Sequence, residues 1–268
     1  MPIREPLPNA LVHFDDLSRR VVDGTPAVFL DYDGTLTSIV DRPELAVLAP
    51  QMRRALGTLA GCCTVAVVSG RDRAEIEALV DLTSVSYAGS HGFDIAGPNG
   101  LHLEHEAGVR AASALDHATD QLDRALSGTP GSLVERKRFA VAVHYRLVLP
   151  HDRARVFDAF RHVASQHQEL ASTEGKMVLE LRPRVSWDKG AAVLWLLEAL
   201  KLDTPNVFPL FLGDDVTDED AFRVVKRHGA GILVAEEPRA SQATYSLKNP
   251  QEVQLFLERL TTSLDCRP

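Results

Sequence analysis

Cysteine is scarce in this sequence, and long hydrophobic runs are missing altogether. The cysteines of the 268 residues are Cys62, Cys63 and Cys266, whose spacing fits neither a disulfide framework nor a zinc site. We therefore expect buried, reduced cysteines in a protein of the cytoplasm. The longest nearly unbroken apolar run, residues 59–68, has about half the length that a membrane-spanning helix needs. No membrane association is expected.

Basic residues are fewer than acidic residues in this sequence. The sequence has 29 Lys+Arg against 37 Asp+Glu, a formal net charge of -8, which argues against nucleic acid as the main partner because phosphate backbones attract basic surfaces. The first ten residues carry charges and prolines where a signal peptide needs an apolar segment, so secretion by the usual route is not expected. The hydrophobic fraction of 45% is typical of an ordinary soluble globular protein.

Short apolar runs alternate with helical patterns in both outer parts of the chain. Residues 27–30, 64–68 and 208–212 are predicted to be buried strands, and residues 72–80 and 219–227 to be helices. Apolar strands that alternate with helices predict a doubly wound parallel sheet, the Rossmann-like class of α/β fold. Such sheets bind ligands beyond the carboxyl ends of their strands, and polar residues follow all three predicted strands at that edge.

The middle of the chain has another pattern, which begins with a long polar helix. The elements predicted there are a helix at 106–126, strands at 133–135 and 140–146, a helix at 152–168 and a strand at 177–181. Alternating polar and apolar residues in these strands predict an antiparallel sheet, and hence a small α+β domain inserted into the core. We therefore assign residues 1–104 and 184–268 to the core domain and residues 105–183 to the insert.

The first chemical motif is Asp31-Tyr-Asp-Gly-Thr, at the end of the first predicted strand. The carboxylates of Asp31 and Asp33 need a compensating charge at the end of a buried strand. A divalent cation such as Mg²⁺ supplies that charge, because it binds carboxylates together with water and phosphate oxygens. For this motif taken alone, a solvated pair of acids in a turn is the commoner explanation.

Three further groups of polar residues favour phosphate chemistry. Ser69 and Arg71 follow the second strand, and Lys189 lies at a predicted helix start; their hydroxyl, guanidinium and ammonium groups all suit a phosphate. An acidic cluster, Gly213-Asp-Asp215 with Asp218-Glu-Asp220, follows the third strand. Asp218 is also a good N-cap for the next helix, and the two roles are compatible.

In this chain order the motifs resemble those of the haloacid dehalogenase superfamily and, within it, the trehalose-6-phosphate phosphatase family. The matching segments, within residues 27–235, begin with Leu30-Asp-Tyr-Asp-Gly-Thr-Leu-Thr37, Val68-Ser-Gly-Arg71 and Gly89-Ser-His-Gly92. They continue with Glu135-Arg-Lys137, His144-Tyr-Arg146, Gly175-Lys-Met-Val-Leu-Glu-Leu-Arg-Pro183 and Phe211-Leu-Gly-Asp-Asp-Val-Thr-Asp-Glu-Asp220. Ser38 stands where proline is expected in much of the family, and this departure leaves the carboxylates unchanged.

The resemblance implies a role for each matching residue of the core. Asp31 would be the nucleophile that forms an aspartyl-phosphate, and Asp33 the general acid and afterwards the general base. Ser69 and Lys189 would hold the phosphoryl oxygens in the transition state. Mg²⁺ would be bound by Asp31, by the main-chain carbonyl of Asp33 and by Asp214.

The resemblance also implies substrate-binding residues, most of them in the insert, which would act as a specificity cap. They are Arg71, His91, Glu135, Lys137, His144, Arg146, Lys176 and Glu180. Residues two apart share one face of a strand, so Glu135 and Lys137 can point into one pocket, as can His144 and Arg146. Without the core motifs, the same alternation would be typical of a solvated sheet face.

The expected function is therefore that of a Mg²⁺-dependent phosphatase that hydrolyses trehalose 6-phosphate and is coupled in function to a trehalose-phosphate synthase. A phosphatase for another sugar phosphate, such as sucrose 6-phosphate, would have the same core and differ only in the insert. A non-catalytic domain that binds the sugar phosphate and regulates the synthase is a further alternative, although such domains usually lose a core carboxylate. Whether Asp215 or Asp218 assists the metal site stays open.

Overall fold

A computed structural model describes residues 6–264 of the chain. Its helices are α1 (Phe14–Val22), α2 (Pro50–Ala60), α3 (Arg73–Val80), α4 (Glu106–Arg110), α5 (Ala112–Leu126), α6 (Arg153–Gln166), α7 (Lys189–Ala199), α8 (Glu219–Val225) and α9 (Pro250–Ser263). Its strands are β1 (Thr25–Leu30), β2 (Thr64–Val68), β3 (Ser86–Gly89), β4 (Asp94–Ala96), β5 (His102–Glu104), β6 (Leu133–Lys137), β7 (Ala140–His144), β8 (Leu170–Gly175), β9 (Val178–Pro183), β10 (Val207–Gly213), β11 (Ala230–Val234) and β12 (Tyr245–Leu247). None of the helices formed by the described residues is long and apolar enough to cross a membrane.

The central sheet has eight strands in the order β12-β11-β10-β1-β2-β3-β4-β5. All pairs from β12 to β3 are parallel, and β4 is antiparallel to β3. Leu30 of β1 lies opposite Leu212 of β10 and Val67 of β2, so these three strands end at the same edge of the sheet. The predicted doubly wound α/β class is confirmed.

Helices on both faces of the central sheet explain why its strands are continuous apolar runs. On one face, Leu56 of α2 and Phe256 of α9 belong to the same buried cluster as Val28 of β1. On the other face, Phe222 of α8 meets Phe211 of β10 edge-on, with ring centroids 5.7 Å apart. Because successive side chains of a strand point to opposite faces, a sheet covered in this way needs apolar residues at every position.

The described chain divides into two compact units. The core unit comprises the chain up to His102 and from Trp187 onward, and the insert unit is Leu103–Ser186. These limits lie close to the predicted limits at residues 104 and 184. That the insert acts as a specificity cap stays a prediction.

The insert unit contains a four-stranded antiparallel sheet in the order β6-β7-β9-β8. One face of this sheet packs on α5 and α6 through apolar side chains, which include Leu122, Val141, Val143, Phe160 and Leu181. The opposite face carries the alternate residues, and there Glu135 and Glu180 lie in register on either side of Ala142. The predicted α+β composition of the insert is confirmed.

Two details of the insert differ from the prediction. The apolar pattern misses β8 because this edge strand, Leu170–Gly175, has mostly small and polar residues and only its first residue is buried. The single helix predicted for residues 106–126 is interrupted at Ala111, where a ψ of -3° turns the chain between α4 and α5. Both differences leave the predicted site residues of the insert on its strands or next to their ends.

The cysteines that the structure describes are half-buried, which corrects the expectation of buried ones. Cys62 and Cys63 lie in the turn between α2 and β2. The Cys62 thiol donates a hydrogen bond to the carbonyl oxygen of Thr58 at 3.3 Å. A turn directly after a helix keeps both side chains near the surface, and Cys266 lies outside the described residues.

Candidate active site

Three parallel strands end at one edge of the central sheet, and each is followed by a predicted site residue. Asp31 follows β1, and its N–H donates to the carbonyl oxygen of Leu212 at 2.9 Å, which extends the ladder between β1 and β10. Ser69 follows β2, and Asp214 follows β10. Asp31, Ser69 and Asp214 are buried, with 5%, 1% and 3% of their surfaces exposed.

Lys189 places a positive charge at this edge. It is the first residue of α7, a helix whose N-cap residue Asp188 accepts a hydrogen bond from the N–H of Ala191 at 2.8 Å. Lys189 Nζ donates to Asp31 Oδ1 and to Asp218 Oδ1, both at 2.6 Å. The lysine side chain is only 3% exposed, so these charge-assisted hydrogen bonds are shielded from water.

Asp218, whose role at the metal site the sequence leaves open, lies within this group of side chains. Its Oδ2 accepts hydrogen bonds from the backbone N–H groups of Asp214 and Asp215, both at 2.9 Å. The side chain is fully buried and makes no capping bond to α8, so the capping prediction for that helix is wrong. The carboxylate turns toward Lys189 and the preceding backbone because charged and N–H donors are available there.

Burial governs the charges of this group. The pKa of Asp31 lies well above its ordinary value, chiefly because the side chain is buried. The positive charge of Lys189 lowers this pKa, and the carboxylates of Asp218 and Asp214 raise it. Burial alone lowers the pKa of Lys189, but Asp218 and Asp31 more than offset this effect and raise it above the ordinary value. Lys189 therefore stays charged, and an ionised Asp31 needs positive charge beside it.

The carboxylates of Asp31, Asp214 and Asp218 also fit a divalent cation. One oxygen from each lies within 4.8 Å of the others, and all three residues are buried. The three carboxyl groups outnumber the single ammonium of Lys189, and carboxylate oxygens are the ligands that Mg²⁺ prefers. Gly34, at a φ of +90°, packs against the Asp214 carboxylate so closely that any side chain at this position would overlap it.

Asp33 points to Arg71 rather than into this acidic group. Arg71 Nε donates to Asp33 Oδ2 at 2.7 Å, and Nη2 donates to Asp33 Oδ1 at 2.9 Å and to the carbonyl oxygen of Pro43 at 2.9 Å. Nη1 of Arg71 contacts Glu75, and the guanidinium lies over the ring of Tyr32, 5.5 Å from its centroid. The Arg71 side chain is 7% exposed, so its donors are directed into the protein.

His91 lies beside the segment that contains Ser69. It sits in a run of three left-handed residues, with φ values of 48° for Ser90, 58° for His91 and 95° for Gly92. Its N–H donates to the carbonyl oxygen of Ser69 at 2.8 Å, and its ring packs against Gly70. Such conformations are costly for residues with side chains and often occur at functional sites.

In the insert unit, two close polar pairs lie on the sheet face that α5 and α6 leave uncovered. His144 Nε2 and Glu135 Oε2 are 2.7 Å apart, and Lys137 Nζ donates to Glu180 Oε1 at 3.1 Å. The first pair is half-buried, with 24% and 31% of the two side chains exposed, and the second is more enclosed, at 12% and 9%. The structure thus places four of the predicted substrate-binding residues next to one another.

The remaining two predicted residues of the insert meet at the strand ends. Arg146, just after β7, donates from Nη2 to the carbonyl oxygen of Lys176 at 2.9 Å. Lys176 itself lies in the turn between β8 and β9, and its side chain is exposed.

Comparison with known proteins identifies the family. The trehalose-phosphatase family model matches residues 29–251, which include the acidic site and the insert sheet. The chain belongs to the trehalose-phosphatase family. A trehalose-phosphate phosphatase of Mycobacterium tuberculosis is 44% identical over 262 residues, and the match covers 96% of this chain and 66% of the relative. The chain thus spans just under two thirds of the length of that family member.

One further relative supports the assignment, and a solved structure shares the fold. A plant protein named probable trehalose-phosphate phosphatase H, from Arabidopsis thaliana, is 40% identical over 267 residues, which cover 94% of this chain and 76% of the relative. The C-terminal domain of a trehalose-6-phosphate phosphatase from C. albicans has the same fold, with a TM-score of 0.83 and 23% identity, over 97% of this chain and 99% of that domain. The predicted haloacid dehalogenase type of fold is confirmed.

Proposed function

We propose that this chain is a Mg²⁺-dependent phosphatase that hydrolyses trehalose 6-phosphate to trehalose and phosphate. The observation that carries the proposal is the buried group of Asp31, Lys189 and Asp218 beside Asp214, at the carboxyl ends of β1 and β10. This is the edge at which parallel sheets bind ligands. Membership of the trehalose-phosphatase family supports the substrate.

The first step is attack by Asp31 on phosphorus. Lys189 holds Oδ1 of Asp31, which leaves Oδ2 to form the new bond to phosphorus. The bond between phosphorus and the sugar oxygen breaks, and Asp33 as a general acid gives its proton to that oxygen. The products of this step are trehalose and an aspartyl-phosphate on Asp31.

In the second step, Asp33 acts as the general base. It takes a proton from a water molecule, whose oxygen attacks phosphorus and displaces the Asp31 carboxylate, so that phosphate is released. The Asp33 side chain is 41% exposed, which gives water access to it. Arg71 fixes both oxygens of Asp33, and we therefore assign Arg71 to positioning this carboxylate, in place of the direct substrate contact that the resemblance implies.

Ser69 and Lys189 bind the phosphoryl oxygens. Ser69 Oγ accepts the backbone N–H of Arg71 at 3.2 Å, so its own proton is left to donate to an anion. Of the three N–H bonds of the Lys189 ammonium, two are directed to Asp31 and Asp218, and the third remains for a phosphoryl oxygen. His91 lies next to Ser69 and contributes to the same binding site.

Asp31, the main-chain carbonyl of Asp33, and Asp214 would hold Mg²⁺. Bound there, the ion would supply positive charge to neutralise the carboxylates and the phosphoryl group. Asp218 assists without needing to be a ligand, because its two oxygens already orient Lys189 and the backbone of Asp214. Asp215 contributes its N–H to the same contact.

The polar face of the insert sheet binds the sugar. Carboxylates and cations pair well with vicinal hydroxyls, and the residues assigned to this role are Glu135, Lys137, His144, Arg146, Lys176 and Glu180. The two close pairs on this face keep the side chains ordered before substrate arrives. Functional coupling to a trehalose-phosphate synthase and a cytoplasmic location remain predictions from the sequence.

The proposal is tested by phosphate release from a panel of sugar phosphates, with Mg²⁺ and with a chelator. We expect trehalose 6-phosphate to be the best substrate and turnover to disappear when the metal is removed. The Asp31→Asn protein is the matched control for contaminating phosphatases. Preference for sucrose 6-phosphate or another sugar phosphate would contradict the substrate assignment, and absence of any turnover would favour a non-catalytic domain.

A further inference from the structure

Arg239 lies outside all the sequence motifs described above, yet it contacts the segment that carries Asp214. It belongs to the loop between β11 and β12. Its Nη1 donates to Glu219 Oε1 at 2.6 Å, and its Nη2 donates to the main-chain carbonyl oxygens of Asp215 at 3.1 Å and Asp214 at 3.4 Å. One guanidinium thus bridges the end of β10 and the start of α8.

Glu219 completes this link. Its second oxygen, Oε2, accepts hydrogen bonds from the Ser241 hydroxyl at 3.1 Å and from the N–H of Gln242 at 2.7 Å. The Arg239 and Glu219 side chains are 29% and 19% exposed, so the contact is mostly shielded from water. Arg239 thus bonds to the segment 214–219, and Glu219 bonds to the segment 239–242, so the two segments are linked by both side chains.

We propose that Arg239 is a positioning residue for the metal site, because it fixes the backbone from which the Asp214 carboxylate projects. The proposal rests on the Mg²⁺ site assigned above. Asp214 is held from one side by the bond between its N–H and Asp218, and from the other by the bond between its carbonyl oxygen and Arg239. Residues that orient metal ligands in this way commonly change metal affinity by about 10–100-fold.

If Arg239 acted only through its charge, its removal would have the opposite effect on Mg²⁺ affinity. Arg239 is a cation near a binding site for another cation, so its removal would strengthen Mg²⁺ binding if charge were its main contribution. Removal weakens binding if Arg239 acts through geometry. Arg239→Lys separates the two effects, since it keeps the charge but lacks the planar guanidinium that reaches Glu219 and both carbonyl oxygens.

The test is calorimetric titration of the full chain with Mg²⁺ in the absence of substrate. We compare wild type, Arg239→Lys and Arg239→Ala, with Arg223→Ala as the matched control. Arg223 lies on the adjacent helix α8 and pairs with Asp220 at the surface, where 63% of its side chain is exposed. Circular dichroism and thermal unfolding without Mg²⁺ establish that each variant is folded, and Arg239→Lys decides the question if Arg239→Ala does not fold.

We expect both Arg239 variants to bind Mg²⁺ about tenfold more weakly than wild type, and Arg223→Ala to bind it equally well. In turnover assays, excess Mg²⁺ then restores most of the lost rate of the Arg239 variants. Equal or tighter Mg²⁺ binding by both variants overturns the positioning role while leaving the proposed function intact. A wild-type protein that binds no Mg²⁺ overturns the proposed cofactor and this inference together.

Discussion

The acidic site of the core unit and the polar face of the insert unit both pair carboxylates with basic side chains, but they differ in burial and in the ratio of carboxylates to basic groups. Lys189 and its two carboxylate partners are nearly or fully buried, and with Asp214 the carboxyl groups outnumber the ammonium. On the insert face each carboxylate has a basic partner, and the Glu135–His144 pair is half-exposed.

This difference separates two tasks. An enclosed group with more carboxyl than ammonium groups is suited to holding a cation and to covalent chemistry, where fixed charges stabilise a transition state without rearrangement. A carboxylate that already has a basic partner is suited to recognition, because the half-exposed Glu135 and His144 can each exchange its partner for a sugar hydroxyl at little cost.

Asp31→Asn has the largest expected effect, because it removes the nucleophilic charge while preserving size. Turnover of trehalose 6-phosphate falls by roughly a thousandfold or more, and the protein stays folded. Steady-state kinetics measures the loss of turnover, and circular dichroism shows whether the protein is folded. Activity within tenfold of wild type would exclude the aspartyl-phosphate mechanism.

Lys189→Met compares the stability of the two regions directly. It leaves Asp31 and Asp218 buried without their cation, and the free energy of unfolding drops by about 3–5 kcal/mol. His144→Gln on the insert face lowers it by no more than about 1 kcal/mol, since that pair is half-exposed. Urea titration measures both, and equal losses would show that burial does not distinguish the two pairs.

Arg71→Gln tests whether Arg71 acts through Asp33. A general acid matters most when the leaving group is a poor one, such as a sugar alkoxide, and least for an acidic phenol. We expect kcat/KM for trehalose 6-phosphate to fall by about a hundredfold and that for p-nitrophenyl phosphate by much less. In a protein that already carries Asp33→Asn, Arg71→Gln causes little further loss of kcat/KM for trehalose 6-phosphate. Equal losses for both substrates would return Arg71 to a phosphate-binding role.

Glu135→Ala and Glu180→Ala test sugar recognition by the insert. Each lost hydrogen bond to a charged group costs about 1.5–3 kcal/mol, or roughly ten- to a hundredfold in kcat/KM for trehalose 6-phosphate. A generic aryl phosphate does not make these contacts, so its hydrolysis stays the same. The ratio of the two substrates cancels any general loss of stability, and an unchanged ratio would make both carboxylates structural.

Arg161→Ala is expected to have the smallest effect on stability, because it removes an exposed ion pair. Arg161 pairs with Asp158 one turn earlier on α6, with 73% and 70% of the two side chains exposed. The free energy of unfolding changes by less than about 0.5 kcal/mol and activity is unaffected. A larger loss in urea titration would show that exposed pairs of the insert contribute more than their solvation allows.

The elements that carry the acidic site follow from the sequence, whereas the directions of its side chains do not. Buried parallel strands are continuous apolar runs, so β1, β2 and β10 and the residues after them, Asp31, Ser69 and Asp214, can be located by pattern alone. The bond between Asp33 and Arg71 depends on which neighbours the fold supplies. The same is true of the double contact of Asp218.

Burial also explains what the pattern missed in the insert. An edge strand such as β8 needs few apolar residues because only part of it is covered, so its sequence resembles a loop. Arg239 is the corresponding omission in the core unit. It lies in a loop without regular periodicity, and nothing in the sequence near it indicates that it contacts residues 214 and 215.

The pairing of β1 with β10 has a consequence for how the protein is made. Leu30 leaves the ribosome long before its partner Leu212, with the whole insert translated in between. At the usual rate of synthesis, about 5–20 residues per second, this delay lasts on the order of ten seconds or more. Throughout it, the apolar strand β1 has one unpaired edge, a hazard for aggregation. A nascent chain halted within the insert would therefore lack β10, β11 and β12, the three strands on one side of the central sheet, and would leave that edge of β1 open.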